Sequence, residues 1–140
     1  MNFVGIETFM LKKISLAFLG AVSLQAGAAD VTMEKLPDGS QRATSYQGIT
    51  ERMQDPMDNC RQGKGVIIAK GNVALQGEFG VFPALVGKRQ TEVGVDFREF
   101  DEYHRIQFMK FIKKNQRYQA NYQACGNAAV IDLIDISLLK

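Results

Sequence analysis

From Gly65 onward, glycines and turn residues cut the sequence into short runs rich in β-branched and aromatic residues, and this spacing most restricts the fold. Gly65-Val-Ile-Ile-Ala-Lys70, Val73-Ala-Leu-Gln-Gly-Glu-Phe79 and Val81-Phe-Pro-Ala-Leu-Val86 each suit a strand of ordinary length. Pro83 has no amide donor, which predicts an edge or a bulge rather than a central position for the third run. Gly87-Lys-Arg-Gln90 reads as a hairpin connection. Thr91 to Phe97 then alternates, with Val93, Val95 and Phe97 on one face.

The period then changes. Phe97, Phe100, His104, Phe108 and Phe111 recur at intervals of three and four, which predicts a helix over 101–115. Asp101 and Glu102 suit its positive start, and Lys113 and Lys114 its negative end. Tyr118, Ala120, Tyr122 and Ala124 next alternate with Gln119, Asn121 and Gln123, a half-buried strand ending at Cys125. Gly126-Asn127 turns the chain into a last apolar strand, Val130 to Leu138. Asp132 and Asp135 interrupt it at a spacing of three, which suggests a bulge with both carboxylates toward solvent.

Upstream, residues 29–63 read as a polar, weakly patterned lead. Leu36-Pro-Asp-Gly39 is a turn signature. Ser45 could cap a short helix carrying Tyr46, Ile49 and Met53, stopped by Pro56.

The first 28 residues read as an address. Ile14-Ser-Leu-Ala-Phe-Leu-Gly-Ala-Val-Ser-Leu24 is apolar but far short of the roughly twenty residues needed to span a bilayer. It follows Lys12-Lys13 and precedes Ala26-Gly-Ala28, the layout of a secretory signal peptide cleaved after Ala28 or Ala29. Met10 fits the start of such a segment better than Met1 does. An uncleaved N-terminal anchor is the rival. Removal of residues 1–28 takes away Lys12, Lys13 and Glu7, leaving 112 residues with a formal charge of +1 in place of +2. The expectation is a periplasmic or secreted protein with no stable membrane anchor after cleavage.

An oxidising compartment gives the two cysteines a role. Cys60 and Cys125 would form a disulfide across a loop of about 65 residues. A redox couple would show C-x-x-C spacing, and a nucleophilic cysteine would have to share the single histidine, His104.

Strands with glycine-rich turns, and one helix before the last two strands, predict a mainly β (α+β) fold over residues 64–140: a small five-stranded OB-like barrel or sheet. In that barrel the first and fourth strands are neighbours, which would bring Cys60 and Cys125 together. The residues Lys113-Lys-Asn-Gln-Arg-Tyr-Gln-Ala-Asn-Tyr-Gln-Ala-Cys125, followed by Val130-Ile-Asp-Leu-Ile-Asp-Ile136, resemble small exported bacterial OB-fold proteins of the tRNA-anti-like type. The resemblance covers roughly residues 64–138 and implies a binding module whose ligand varies.

Catalytic groups are scarce. His104 shares a helix face with Phe100 and Phe108, the place of a packed or surface histidine. No second histidine, C-x-x-C pair or aspartate-rich loop accompanies it, so zinc and calcium sites are unsupported and no cofactor is implied. Gly87-Lys88 fails as a phosphate loop, because Phe82 stands where its first glycine belongs and Arg89 replaces the Ser/Thr. Asp132 and Asp135 could form an acid pair, against their reading as solvent-facing strand residues. The remaining candidate surface is basic: Lys110, Lys113, Lys114 and Arg117 followed by Tyr118 and Tyr122, with Lys88 and Arg89 in the hairpin. A solvated cationic helix end beside core tyrosines is the competing account. The near-neutral charge disfavours nucleic acid, whose affinity comes largely from phosphate neutralisation.

The expected function is a non-enzymatic exported binding module whose partner is a protein or small ligand, contacted by the barrel face or the loops at 71–72, 87–90 and 126–129. The alternative is a periplasmic immunity protein or an inhibitor of a cell-wall-active enzyme.

Overall fold

A computed structural model of the protein describes residues 21–26, 29–50, 59–126 and 129–139. These form strands β1 (Ala21–Ala26), β2 (Ala29–Lys35), β3 (Gln41–Gln47), β4 (Cys60–Ala69), β5 (Ala74–Gln76), β6 (Phe79–Val86) and β7 (Arg89–Asp96). Helix α1 (Glu102–Phe111) and strands β8 (Arg117–Cys125) and β9 (Val130–Leu138) complete them.

Five strands close into a barrel in the order β4-β6-β7-β9-β8, with β8 returning to β4. All neighbours are antiparallel except β7 and β9. With α1 between the third and fourth barrel strands, this is the expected OB-like arrangement. The interior follows from strand alternation. Ile67 and Ala69, Phe82 and Ala84, and Val93 and Val95 point inward with Tyr118, Ala120, Leu133 and Ile136, all buried.

Helix α1 closes one pole. Asp101 caps it, its Oδ1 accepting from the His104 amide at 2.7 Å, and these hydrogen bonds hold the Asp101 carboxyl below its usual range. Phe108 and Phe111 are its buried residues, and Phe108 packs edge-on to Phe97, the residue after β7. After the helix, Asn115 adopts a left-handed φ of 69° and donates its amide to the Ala69 carbonyl at 2.7 Å, which leads the chain into β8. Lys113 and Lys114 therefore lie beyond the helix, which ends at Phe111.

The opposite pole is tied by the disulfide. Cys60 and Cys125 are directly opposed where β4 begins and β8 ends, with Cα atoms 3.9 Å apart. Gly87 and Lys88 form the two-residue β6–β7 hairpin turn, Gly87 taking a φ of 64° as a II′ turn requires.

The structure corrects several sequence expectations. Pro83 sits in an interior strand, paired to β7 opposite Glu92. Its carbonyl accepts from the Lys70 amide at 2.7 Å, so its missing donor faces the gap where the neighbour of β6 changes from β5 to β4. Ser45 and Tyr46 do not start a helix but lie in β3. There Ala29, Val31 and Met33 of β2 and Ala43 and Tyr46 of β3 bury one face of a hairpin. The Leu36–Gly39 turn, closed by the Gly39 amide on the Leu36 carbonyl at 2.9 Å, sets that hairpin's ends. Met53 and Pro56, the rest of the expected helix, lie outside the described residues.

The boundary expected at residue 63 falls inside β4, and β3 joins the sheet by pairing Ser45 and Tyr46 with Ser137 and Ile136 of β9. The Tyr46 ring packs on Phe108 and Phe111 at centroid distances of 4.9 and 5.2 Å, so the hairpin is fastened to the helix that plugs the barrel. β1 pairs with β2 from Ala21 opposite Glu34 to Ala26 opposite Ala29. Most of the expected signal segment, with the small residues Gly27 and Ala28 at its junction, lies outside the described residues.

The bulge expected between Asp132 and Asp135 is present. Asn121 pairs with Asp135 and Tyr122 with Leu133, so Ile134 is the extra residue of β9, and both Leu133 and Ile134 are buried.

Replacing both cysteines with alanine should destabilise the protein by about 4 kcal/mol, given the 65-residue separation of the bridge. Denaturant unfolding checks this, and the native protein should show no reactive thiol. A second expectation concerns Tyr118, whose hydroxyl donates to the Phe111 carbonyl at 2.6 Å and accepts from the Lys113 amide at 2.9 Å. Tyr118→Phe strands both backbone groups and should cost about 1–3 kcal/mol in the same measurement.

Candidate functional site

The basic and aromatic residues singled out in the sequence do not form one surface. Tyr118 belongs to the core, fully buried, with its hydroxyl spent on the turn after α1. It is not available to stack a ligand, because strand alternation and the helix plug enclose it. The others fall into three places.

Lys110 and Lys113 line a groove of about 360 Å³ between α1 and the N-terminal hairpin, with Gln41, Arg42, Gln107 and Gln116. Arg42 is already engaged by Glu34 across β2 and β3, at 3.0 Å. Lys110 sits in the last turn of the helix and Lys113 just beyond it, both at its negative end, which gives them a structural role without a ligand. Lys114 is exposed beside this groove.

Arg117 lies on the outside of the barrel, opposite Ile68. Alternation turns Val66 and Ile68 of β4 and Phe79, Val81, Pro83 and Leu85 of β6 to the same outer face, because their neighbours Ile67, Gly80, Phe82 and Ala84 are buried. Ile68 and Leu85 are directly paired, so the six residues form a continuous apolar ridge across two strands. Val66 and Phe79 remain 36% and 43% exposed, well above what a covered sheet face would show. The Arg98 guanidinium lies 5.2 Å from the Phe79 ring centroid and is held there by Asp96 at 2.7 Å. Lys64 and Arg117 flank the ridge on the β4–β8 side, and Glu92 and Asp96 on the β7 side. The sequence showed these runs as strands but not that their outward residues are also apolar, since a run apolar on both faces has no period to read.

Lys88, Arg89 and Tyr122 lie toward the other pole. Lys88 is exposed at the hairpin tip. Arg89 and Tyr122 line the open barrel mouth, a groove of about 360 Å³ that also contains Arg61, Gln62, Gly63 and Thr91. Arg61 was missed in the sequence because its companions are remote along the chain, and only the β4–β8 register brings them together.

The proposed chemical groups are accounted for differently. His104 is largely packed, 13% exposed, with Nδ1 2.7 Å from Asp101 Oδ1. Among the described residues its Nε2 and the buried Tyr46 hydroxyl have no hydrogen-bond partner, and burial pushes the Tyr46 hydroxyl far above its ordinary range. Asp132 and Asp135 do not act as a pair. Asp135 fastens the hairpin to the barrel, Oδ1 accepting from the Gly48 amide and Oδ2 from Asn121 Nδ2, each at 2.8 Å. Asp132 lies across the bulge, paired with Gly94 of β7. Burial, then the nearby Asp96, pushes its carboxyl above the usual range. No group of three His, Cys, Asp or Glu suited to a metal ion occurs among the described residues.

Comparison with protein-family models, curated proteins and solved structures gives no match to this chain.

The raised carboxyl of Asp132 carries a definite pH signature. A group protonated more readily in the folded state favours folding at low pH and loses that contribution as pH rises through its folded value. Asp132→Asn should therefore raise Tm at neutral pH, and the gain should vanish toward the acid side of the carboxylate range. Thermal unfolding of both proteins at several pH values measures the difference.

Proposed function

We propose that this protein is an exported, non-enzymatic interaction module that binds a protein partner on the outer face of its OB-like barrel. One observation carries the reading: the exposed apolar ridge from Val66 and Ile68 to Phe79, rimmed by Lys64 and Arg117 on one side and by Glu92 and the Asp96–Arg98 pair on the other. Large apolar side chains left open on a small domain, with a polar rim, mark an interaction surface. In OB barrels ligands commonly use the face of the second and third strands and the loop between the first two, and β6, which carries four of the six ridge residues, is the second barrel strand here. Export is supported by the sequence pattern of residues 12–28 and by the Cys60–Cys125 bridge. Cleavage after Ala28 would remove β1 and leave β2 as the sheet edge. A place among exported proteins of the tRNA-anti-like type remains part of this proposal.

The second reading, an immunity protein or enzyme inhibitor, draws on the β6–β7 hairpin. Gly87, Lys88, Arg89 and Gln90 are all exposed, giving a projecting cationic tip of the kind that could plug an acidic active site.

Affinity capture from periplasmic extract with the full chain separates the two. The interaction reading expects a partner that is lost with Val66→Asp or Phe79→Asp and retained with Lys88→Ala. A cell-wall hydrolase that is inhibited on binding, and lost with Lys88→Ala, would establish the inhibitor reading instead. N-terminal sequencing of the exported protein should begin at Ala29 or Asp30.

A further inference from the structure

We propose that the open mouth of the barrel is an oxyanion-binding site for a small ligand that carries its carboxylate or phosphate on a flat ring. The site is distinct from the outer ridge and does not depend on it. The parity that puts Ile67 and Val93 in the core also turns Arg61 of β4 and Arg89 of β7 toward the mouth. Both line the same groove of about 360 Å³, and no acidic residue lines it among the described residues. Among the described residues neither guanidinium has an ion-pair partner, unlike Arg42, held by Glu34, and Arg98, held by Asp96. Both guanidiniums line one concavity, and their forked donors match the oxygens of a carboxylate or phosphate.

Tyr122 supplies the second element of recognition. It is paired with Gly63 across β4 and β8, and a Cβ at Gly63 would lie 2.6 Å from the Tyr122 ring. Glycine here lets the ring lie against the β4 backbone while it lines the groove. A half-buried aromatic ring beside two guanidiniums favours a planar anion over a bare one. The disulfide joins Cys60, next to Arg61, to Cys125, and so anchors the strand end that carries one of the two cations.

The test is titration of the full chain, followed by NMR of backbone amides and arginine side chains, with phenyl phosphate, benzoate and inorganic phosphate as probes. Saturable shifts at Arg61, Arg89 and Tyr122 are expected, with phenyl phosphate or benzoate binding at least tenfold more tightly than inorganic phosphate. The stronger of the two aromatic probes identifies the oxyanion. Arg61→Gln and Arg89→Gln should each weaken binding about tenfold or more, and Tyr122→Leu should abolish the advantage of the ring. Lys110→Gln, at the helix pole, should change nothing. The proposal is overturned if no probe saturates at the mouth, if the arginine variants bind as the parent does, or if Lys110→Gln has the larger effect. All variants change exposed or half-buried side chains, and their dispersed spectra report that they remain folded.

Discussion

Strand β9 holds the molecule together because it has three neighbours, whereas a strand has only two edges. β8 takes one edge along most of its length. The other edge is divided: β7 pairs in parallel with Val130 to Asp132, and β3 pairs with Ile136 and Ser137. The bulge at Ile134 lies between the two halves. An extra residue strengthens the local twist and bends the strand, so the first half closes the barrel and the second half leaves it to receive the hairpin. The bulge also explains why Leu133 and Ile134 are both buried, one toward the barrel interior and the other where the Ile49 amide reaches the Ile134 carbonyl at 2.9 Å.

From that junction the core is shared. Tyr46 arrives on β3, held by its pairing to Ile136, and its ring meets the helix residues Phe108 and Phe111. Phe111 meets Tyr118 at 5.2 Å, which starts β8 and returns to β9. The aromatic chain thus runs from the hairpin through the helix plug into the barrel. The hairpin is part of the same hydrophobic core rather than an appended lead. The Tyr46 hydroxyl, without a partner among the described residues, is the cost of this arrangement, a polar atom carried inward because its ring is needed there.

Elements with a strong local period were legible in the sequence. The stripe from Phe97 to Phe111 gave the helix, the alternation of Val93, Val95 and Phe97 gave β7, and the spacing of Asp132 and Asp135 gave the bulge. Cys60 and Cys125 were legible as a pair because strand order and redox compartment pointed the same way. Elements whose identity depends on a distant partner were not. Ser45 and Tyr46 carry both a capping residue and a possible helical face, and only the pairing to β9 decides for strand. Pro83 read as an edge because the rule concerns a lost donor, yet its nitrogen faces a place where no ladder continues. Tyr118 and Tyr122 look equivalent four residues apart, but the first meets the helix plug and the second reaches the open mouth.

The same asymmetry between the poles divides the basic residues that the sequence grouped. A closed barrel has two ends, and here one is filled by phenylalanines while the other is bridged by a disulfide and left open. Lysines gathered at the filled end face the carbonyl terminus of a helix, whose partial negative charge gives them a function within the fold. Arg61 and Arg89 at the open end have no such partner among the described residues, and a barrel needs neither of them for its core. Cations that the core does not require, placed together at the mouth, are the groups that the proposed oxyanion site would use. A signal distributed over β4, β7 and β8 is invisible along the sequence and appears only once the register of those strands is fixed.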